Sequence, residues 1–232
     1  MKKIIYMGLL GIIAGTASAE LLLSWEGGNG SDTPSNDTLN LSGILYGVDL
    51  ELTRGSSDGW FGPDDSASGG ISGASTNASG YKIKAEAGNI RSFLIRNNSG
   101  QDLELDSFLF DYQSIWGTGP QELKVYYGYG ALTGITNNTL LATFAAAGNS
   151  GGEGAKDYLD FAVDLQSVLT DYVLADGEAA TFQIVASDAT DPTGNGVLDN
   201  IAYTGRVIPE PAMFSFVILS VVGVLAYRRR RR

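Results

Sequence analysis

Hydrophobic and polar residues alternate with a period of two through most of the chain, the pattern of half-buried β-strands. Tyr81, Ile83 and Ala85 share one face, while Lys82, Lys84 and Glu86 share the other. Phe93 and Ile95 continue the alternation. Leu103 and Leu105 alternate with Asp102, Glu104 and Asp106, and the parity then changes to Phe108, Phe110 and Tyr112. That change predicts a β-bulge near Ser107. Strands are also predicted at residues 21–25, 123–127, 139–144, 158–163, 182–186 and 197–207. Residues 39–53 read as two strands, or as one bent at Gly43 or Gly47. Residues 164–172 read as a short helix or turn. Residues 55–80 form a long loop rich in Gly, Ser, Ala and Asp, whose bulky apolar pair is Trp60-Phe61. About ten strands separated by polar turns predict one all-β domain over residues 20–207, a β-sandwich or jelly roll.

The two ends break this pattern. Lys2 and Lys3 precede an apolar run over residues 4–13, and Ala17-Ser18-Ala19 is a small-x-small cleavage site. Residues 1–19 therefore read as a signal peptide cut after Ala19, with Ala17 and Ala19 as the cleavage determinants and the Sec machinery as exporter. At the other end, Pro209-Glu210-Pro211 leads into sixteen uncharged residues, 212–227. As a helix these span about 24 Å, slightly short of the roughly 30 Å hydrocarbon core. Arg228, Arg229, Arg230, Arg231 and Arg232 follow as a membrane stop. Their side chains can snorkel to cover the deficit, and the positive-inside rule keeps them cytoplasmic.

A Pro-Glu-Pro motif, an apolar helix and an Arg-rich end, in that order over residues 208–232, resemble the PEP-CTERM sorting signal. The resemblance implies a bacterial protein that is exported, held in the inner membrane as an intermediate, and processed by an exosortase near Pro209, Glu210 and Pro211. It implies a final location at the cell surface or in the extracellular matrix. The middle of the chain also looks like the β-sandwich that such proteins carry. That likeness lies in strands 81–97 and 102–112, in Gly119-Pro120 before 121–127, and in Ala180-Thr181-Phe182-Gln183-Ile184 with Leu198-Asp199-Asn200-Ile201. The last of these resembles the terminal strand of carbohydrate-binding jelly rolls.

Charge sharpens this picture. The whole chain carries −11, from 15 Lys+Arg and 26 Asp+Glu. The basic ends and Glu210 fall outside residues 20–208. Eight basic and 25 acidic residues remain there, a formal charge of −17. Such acidity argues against nucleic acid, whose phosphates require Lys and Arg. With no His and no Cys, Ser-His-Asp triads, thiolate nucleophiles, His/Cys zinc sites and disulfides are excluded.

The remaining candidate chemistry is oxygen-based. Asp188, Asp191, Asn195, Asp199 and Asn200 cluster around a Gly-rich turn, and Asp58, Asp64 and Asp65 lie in the long loop. Calcium takes six to eight such oxygens, so Asp199, Asp191 and Asn200 are the candidate Ca²⁺ ligands, although no EF-hand spacing is present. Asp and Asn also cap turns without metal. Trp60, Phe61, Trp116, Tyr126, Tyr127 and Tyr129 could offer flat faces to sugars, and alternation sends Tyr126 and Tyr127 to opposite faces. Paired carboxylates for glycan hydrolysis are available by number alone, and Glu26, Glu51, Glu86, Glu104, Glu122, Glu153 and Glu178 show no distinguishing context. No catalytic residue is assigned. The expectation is a non-catalytic exported component of the cell surface or exopolysaccharide matrix. The alternatives are a carbohydrate-binding jelly-roll module, with or without calcium, and a carboxylate-based glycan hydrolase or lyase.

Overall fold

The computed structural model describes residues 20–25, 36–37, 39, 41–46, 60–61, 71–72, 80–85, 89–114, 118–146, 158–191 and 194–209. The alternating segments assemble into two antiparallel sheets. The first runs in the order β11 (Leu159–Asp164), β8 (Leu103–Ser114), β14 (Asn195–Val207), β1 (Glu20–Trp25), β2 (Asn36–Asp37). In it, β12 (Val173–Leu174) also pairs with β8, and β6 (Tyr81–Lys84) with β14. The second runs β10 (Thr139–Ala145), β9 (Glu122–Gly130), β13 (Ala179–Ser187), β7 (Ile90–Arg96), β3 (Ser42–Tyr46). A separate ribbon joins β4 (Trp60–Phe61) and β5 (Ile71–Ser72). The described residues are all-β apart from one helical turn, α1 (Leu165–Val168), capped by the Asp164 carboxylate accepting from the Ser167 N–H at 3.1 Å. The two-residue strands β2, β4, β5 and β12 lie beyond what alternation can mark.

The sheets face each other across an aromatic seam. Trp25, Phe108 and Tyr203 come from the first sheet, Phe93 and Phe182 from the second, and all five are fully buried. Phe108 is the hub. It stacks on Tyr203 at 4.9 Å and 28° and on Phe182 at 5.9 Å and 26°, and it meets Phe93 at 5.6 Å. Trp25 adds edge contacts to Phe93 and Tyr203. Offset and edge geometries of this kind add about 0.5–1.5 kcal/mol per pair beyond area burial. The Tyr203 hydroxyl donates to the Phe93 carbonyl at 2.8 Å, a polar strut between the sheets. Burial pushes this phenol well above its usual titration range. A second knot, Phe110, Phe144 and Phe161, closes the β10–β11 side, with Phe144 and Phe161 4.7 Å apart.

Two long strands organise the first sheet. Along β14, β6 pairs with Asn195–Leu198 and β1 with Ile201–Gly205. The handover between them coincides with a register shift between Asp199 and Ala202, where Asn200 takes φ +45°. Asn reaches this left-handed region at lower cost than most non-Gly residues. The extra residue reverses parity, so Leu198 and then Ile201 and Tyr203 enter the core. In β8 a second shift sets Thr204 opposite Ser107 and Gly205 opposite Leu105, so Asp106 is the extra residue, one position from the Ser107 expectation. Gly205 has no room for a side chain, since a Cβ there would lie 2.1 Å from the Glu104 carbonyl oxygen.

The segment expected to be a signal peptide, residues 1–19, and the apolar stretch 212–227 lie outside the described residues. Among the described residues no helix is long and apolar enough to cross a membrane.

Phe108→Ala is expected to destabilise the fold by about 3–5 kcal/mol in urea unfolding. Tyr203→Phe, which keeps the ring and removes the strut, is expected to cost about 1–3 kcal/mol. A smaller loss for Phe108→Ala than for Tyr203→Phe would contradict the seam.

Candidate functional site

The outer face of the first sheet carries the densest polar chemistry. Directly opposite residues on antiparallel strands share a face. Asp160 on β11 lies opposite Asp111 on β8, and Asp111 lies opposite Asp199 on β14. Three aspartates therefore form one row across three adjacent strands. Asp111 and Asp199 are fully buried and Asp160 is half-buried. The Asn200 bulge completes the row. Its backbone N–H donates to Asp199 Oδ1 at 2.9 Å, and its side-chain amide donates to Asp111 Oδ2 at 2.7 Å. Gln113, Tyr158 and Val197 flank the row on one side, and Leu109 and Ala202 on the other. All five are buried, and β4 of the long loop lies against both β8 and β14.

Carboxylates held this close repel unless a cation or a proton is shared among them. The row can therefore do two things chemically: present oxygens to a hard cation, or hold a proton. Among the described residues no group of three or more carboxylates is arranged as a metal-ligand set. Adjacent members, Asp111 and Asp199 with Asn200 beside them, are the three residues that could contribute oxygens.

The sequence-predicted ligands separate. Asp199 and Asn200 sit in the row. Asp191 is exposed in the turn before β14, where its N–H bonds to the Thr118 carbonyl and its own carbonyl accepts from Gly194. The extended stretch from Asn195 to Asp199 alone spans about 13 Å, which removes Asp191 from the same donor set. Asp58, Asp64 and Asp65 lie outside the described residues, as do Trp116, Glu210, Ala17, Ala19 and Arg228–Arg232. Pro209 is exposed just after β14. Asp111 and Asp160 escaped sequence reasoning because each alternates with core aromatics, which reads as solvent exposure. Only strand order and the contact of β4 with β8 and β14 show otherwise.

The outer face of the second sheet holds the other candidate. Leu140, Tyr126, Gln183 and Ser92 stand opposite one another across β10, β9, β13 and β7. The Gln183 amide donates to the Ser92 hydroxyl at 3.1 Å. Gly128 leaves space that the Gln183 side chain fills, 2.9 Å from where a Cβ would stand. Lys124 and Glu122 form an ion pair at 2.6 Å on the same face. That pairing holds the Glu122 carboxyl below its usual range. Tyr126 is half-buried here, Tyr129 is exposed, and Tyr127 is buried in the core.

One carboxylate outside both faces is tuned by hydrogen bonds. Partial burial raises the Asp171 pKa, but the Thr133 N–H (2.9 Å), the Thr133 hydroxyl (2.7 Å) and the Val173 N–H (3.1 Å) outweigh it and lower the value.

No family model matches the chain, and no curated protein matches it. Among solved structures, a cyclase from Fischerella sp. TAU is 10% identical, with 85% of this chain and 94% of that chain covered and a TM-score of 0.30. A cyclase from Fischerella sp. TAU in complex with 4-(1H-indol-3-yl)butan-2-one gives 10% identity, the same coverage and a TM-score of 0.27. Likeness at this level carries no argument about activity.

Two outcomes check these placements. Tyr127→Ala is expected to cost roughly 3–5 kcal/mol in thermal unfolding, and Tyr126→Ala under about 1 kcal/mol. The stability difference between wild type and Asp171→Ala should be full above the ordinary Asp pKa near 3.9. It should shrink as pH falls through the lowered folded value, because a depressed carboxylate stabilises only while ionised. A difference that grows with acid would contradict the hydrogen-bonded anion.

Proposed function

We propose that this chain is an exported, non-catalytic component of the cell surface or exopolysaccharide matrix, sorted by its C-terminal segment. The observation that carries the reading is the order Pro209-Glu210-Pro211, an uncharged stretch over 212–227, and Arg228–Arg232, paired with the Lys2-Lys3, apolar 4–13 and Ala17-Ser18-Ala19 pattern at the N-terminal end. Residues 208–232 act as a PEP-CTERM signal, read by an exosortase after Sec export, with the inner membrane as the intermediate location. The chemistry of the segments supports this. Basic residues concentrate where the chain addresses a membrane, and the intervening −17 domain is suited to an aqueous exterior.

Strand order supports a jelly roll as the carried module. Setting the short strands and the edge strand β3 aside, the sheets read β11-β8-β14-β1 and β10-β9-β13-β7, with the last two long strands inserted between earlier ones. That insertion is the double Greek key of an eight-stranded jelly roll.

A second reading, a carbohydrate-binding module that uses calcium, is favoured by one observation: the in-register row Asp160–Asp111–Asp199 beside Asn200. Calcium held by Asp111, Asp199 and Asn200 would tie β8 and β14 together, and the uncharged aromatic-amide row on the opposite sheet would face the sugar.

The first reading is tested by the intact mass of the exported form recovered from cells. The expected product starts near Glu20 and lacks Arg228–Arg232, and a mature species that keeps the five arginines overturns the processing. The second is tested by unfolding in calcium and in EDTA, with retention on polysaccharide gels as the companion measurement. The calcium reading expects a midpoint several degrees higher with calcium, lost in Asp199→Ala. Identical transitions remove it.

A further inference from the structure

The distribution of charge along the chain leaves the long edge strand β10 without any. Residues 20–208 carry 33 charged side chains, yet none falls among the 28 residues 125–152, which also lack proline. That stretch holds most of β9 and all of β10, the longer of the second sheet's two edge strands; the other, β3, is uncharged over its five residues. Natural edge strands are blunted by lysines, proline, inward charges or a covering element. On the opposite sheet, the edge strand β11 follows this rule with Asp160 and Asp164. β10 does not.

Hydrogen-bond geometry says which groups face outward. The Ala146 N–H donates to the Gln121 carbonyl at 2.7 Å, which sets Phe144 and Ala142 facing β9 in the alternating antiparallel ladder. Thr143 and Ala145 then direct their N–H and C=O groups away from β9. Among the described residues no strand pairs with that side. Leu140, Thr143 and Ala145 have exposed side chains. Leu140 is 47% exposed and Tyr129, near the end of β9, is 45% exposed, two of the three exposed large hydrophobics among the described residues. Phe144 anchors the strand from beneath on Phe110 and Phe161, so the edge is held rigid rather than frayed.

We propose that the β10 edge is a self-association surface, at which β10 of one copy pairs antiparallel with β10 of a second copy to continue the sheet across a two-fold axis. The argument for a second copy is electrostatic. At −17, two domains repel through almost any approach. An approach along β10 sets no charged side chain of that strand against the second copy, and the nearest charges, Lys124 and Glu122 on β9 opposite Thr143 and Ala145, are already paired with each other. The pairing is isologous, so each copy satisfies the other's outward Thr143 and Ala145 backbone groups with the same residues. Leu140 side chains then gain cover across the joint. This inference rests on the sheet edge alone and is independent of how the chain is exported.

The chain contains no cysteine, which makes the test clean. Full-length Thr143→Cys and Ala145→Cys are oxidised in detergent solution, with Val168→Cys as the control, since Val168 is exposed on α1 at 38%. A disulfide requires Cα atoms closer than about 7 Å. The expected result is a covalent dimer for at least one edge position and monomer for Val168→Cys. In sedimentation velocity, wild type and Thr143→Ser should form the dimer, and Thr143→Lys should weaken it at least tenfold. If Thr143→Lys fails to fold, the cysteine comparison decides alone. A wild-type chain that stays monomeric, equal cross-linking at Val168, or a dimer unaffected by a folded Thr143→Lys overturns the proposal. A dimer held through residues 212–227 would give the last of these.

Discussion

Everything in this molecule depends on how two sheets are clamped without a covalent tie. The chain has no cysteine, so neither a disulfide nor a thiolate metal site shares the load. What remains is the seam in which Phe108 touches Tyr203, Phe182 and Phe93 at once. Its members come from β8, β14, β13 and β7, which are distant in sequence, so the seam forms only when the final topology forms. This is a high-contact-order arrangement, in which long loops close before the packing rewards them. The Tyr203–Phe93 hydrogen bond fixes the relative slide of the sheets, which apolar contact alone leaves loosely defined.

The seam also explains what the exterior is free to do. A core made of interlocked aromatics tolerates an acidic shell, because repulsion among surface carboxylates is spread through water and screened by salt. The Asp160–Asp111–Asp199 row is the exception, since two of its members are taken out of water. It lies on the face turned away from the seam, at the place where β14 passes from β6 to β1 through the Asn200 bulge. The bulge and the row are parts of one feature. The same Asn200 that reverses strand parity also donates to both Asp199 and Asp111.

Several features were legible in the sequence, each for a physical reason. Alternation over 81–84, 123–127 and 182–186 marked strands because one face meets the core and the other water. The parity change at Phe108 reported the β8 bulge, because an inserted residue must shift which positions face inward. The β14 bulge left no such mark. An Asp-Asn pair inside an apolar strand reads as a polar step, and only the left-handed Asn200 backbone separates a bulge from a slip. The aspartate row was illegible because its members lie on strands dozens of residues apart, brought side by side only by the strand order. Tyr126 and Tyr127 were correctly sent to opposite faces, but alternation alone did not say which was inside.

The seam claim is tested most directly by hydrogen exchange on the full-length chain under native conditions. The account predicts that the slowest amides belong to β8, β13 and β14 around Phe108, Phe182 and Tyr203, exchanging only through global unfolding. Slowest exchange elsewhere, with the Phe108 neighbourhood opening locally, would contradict it.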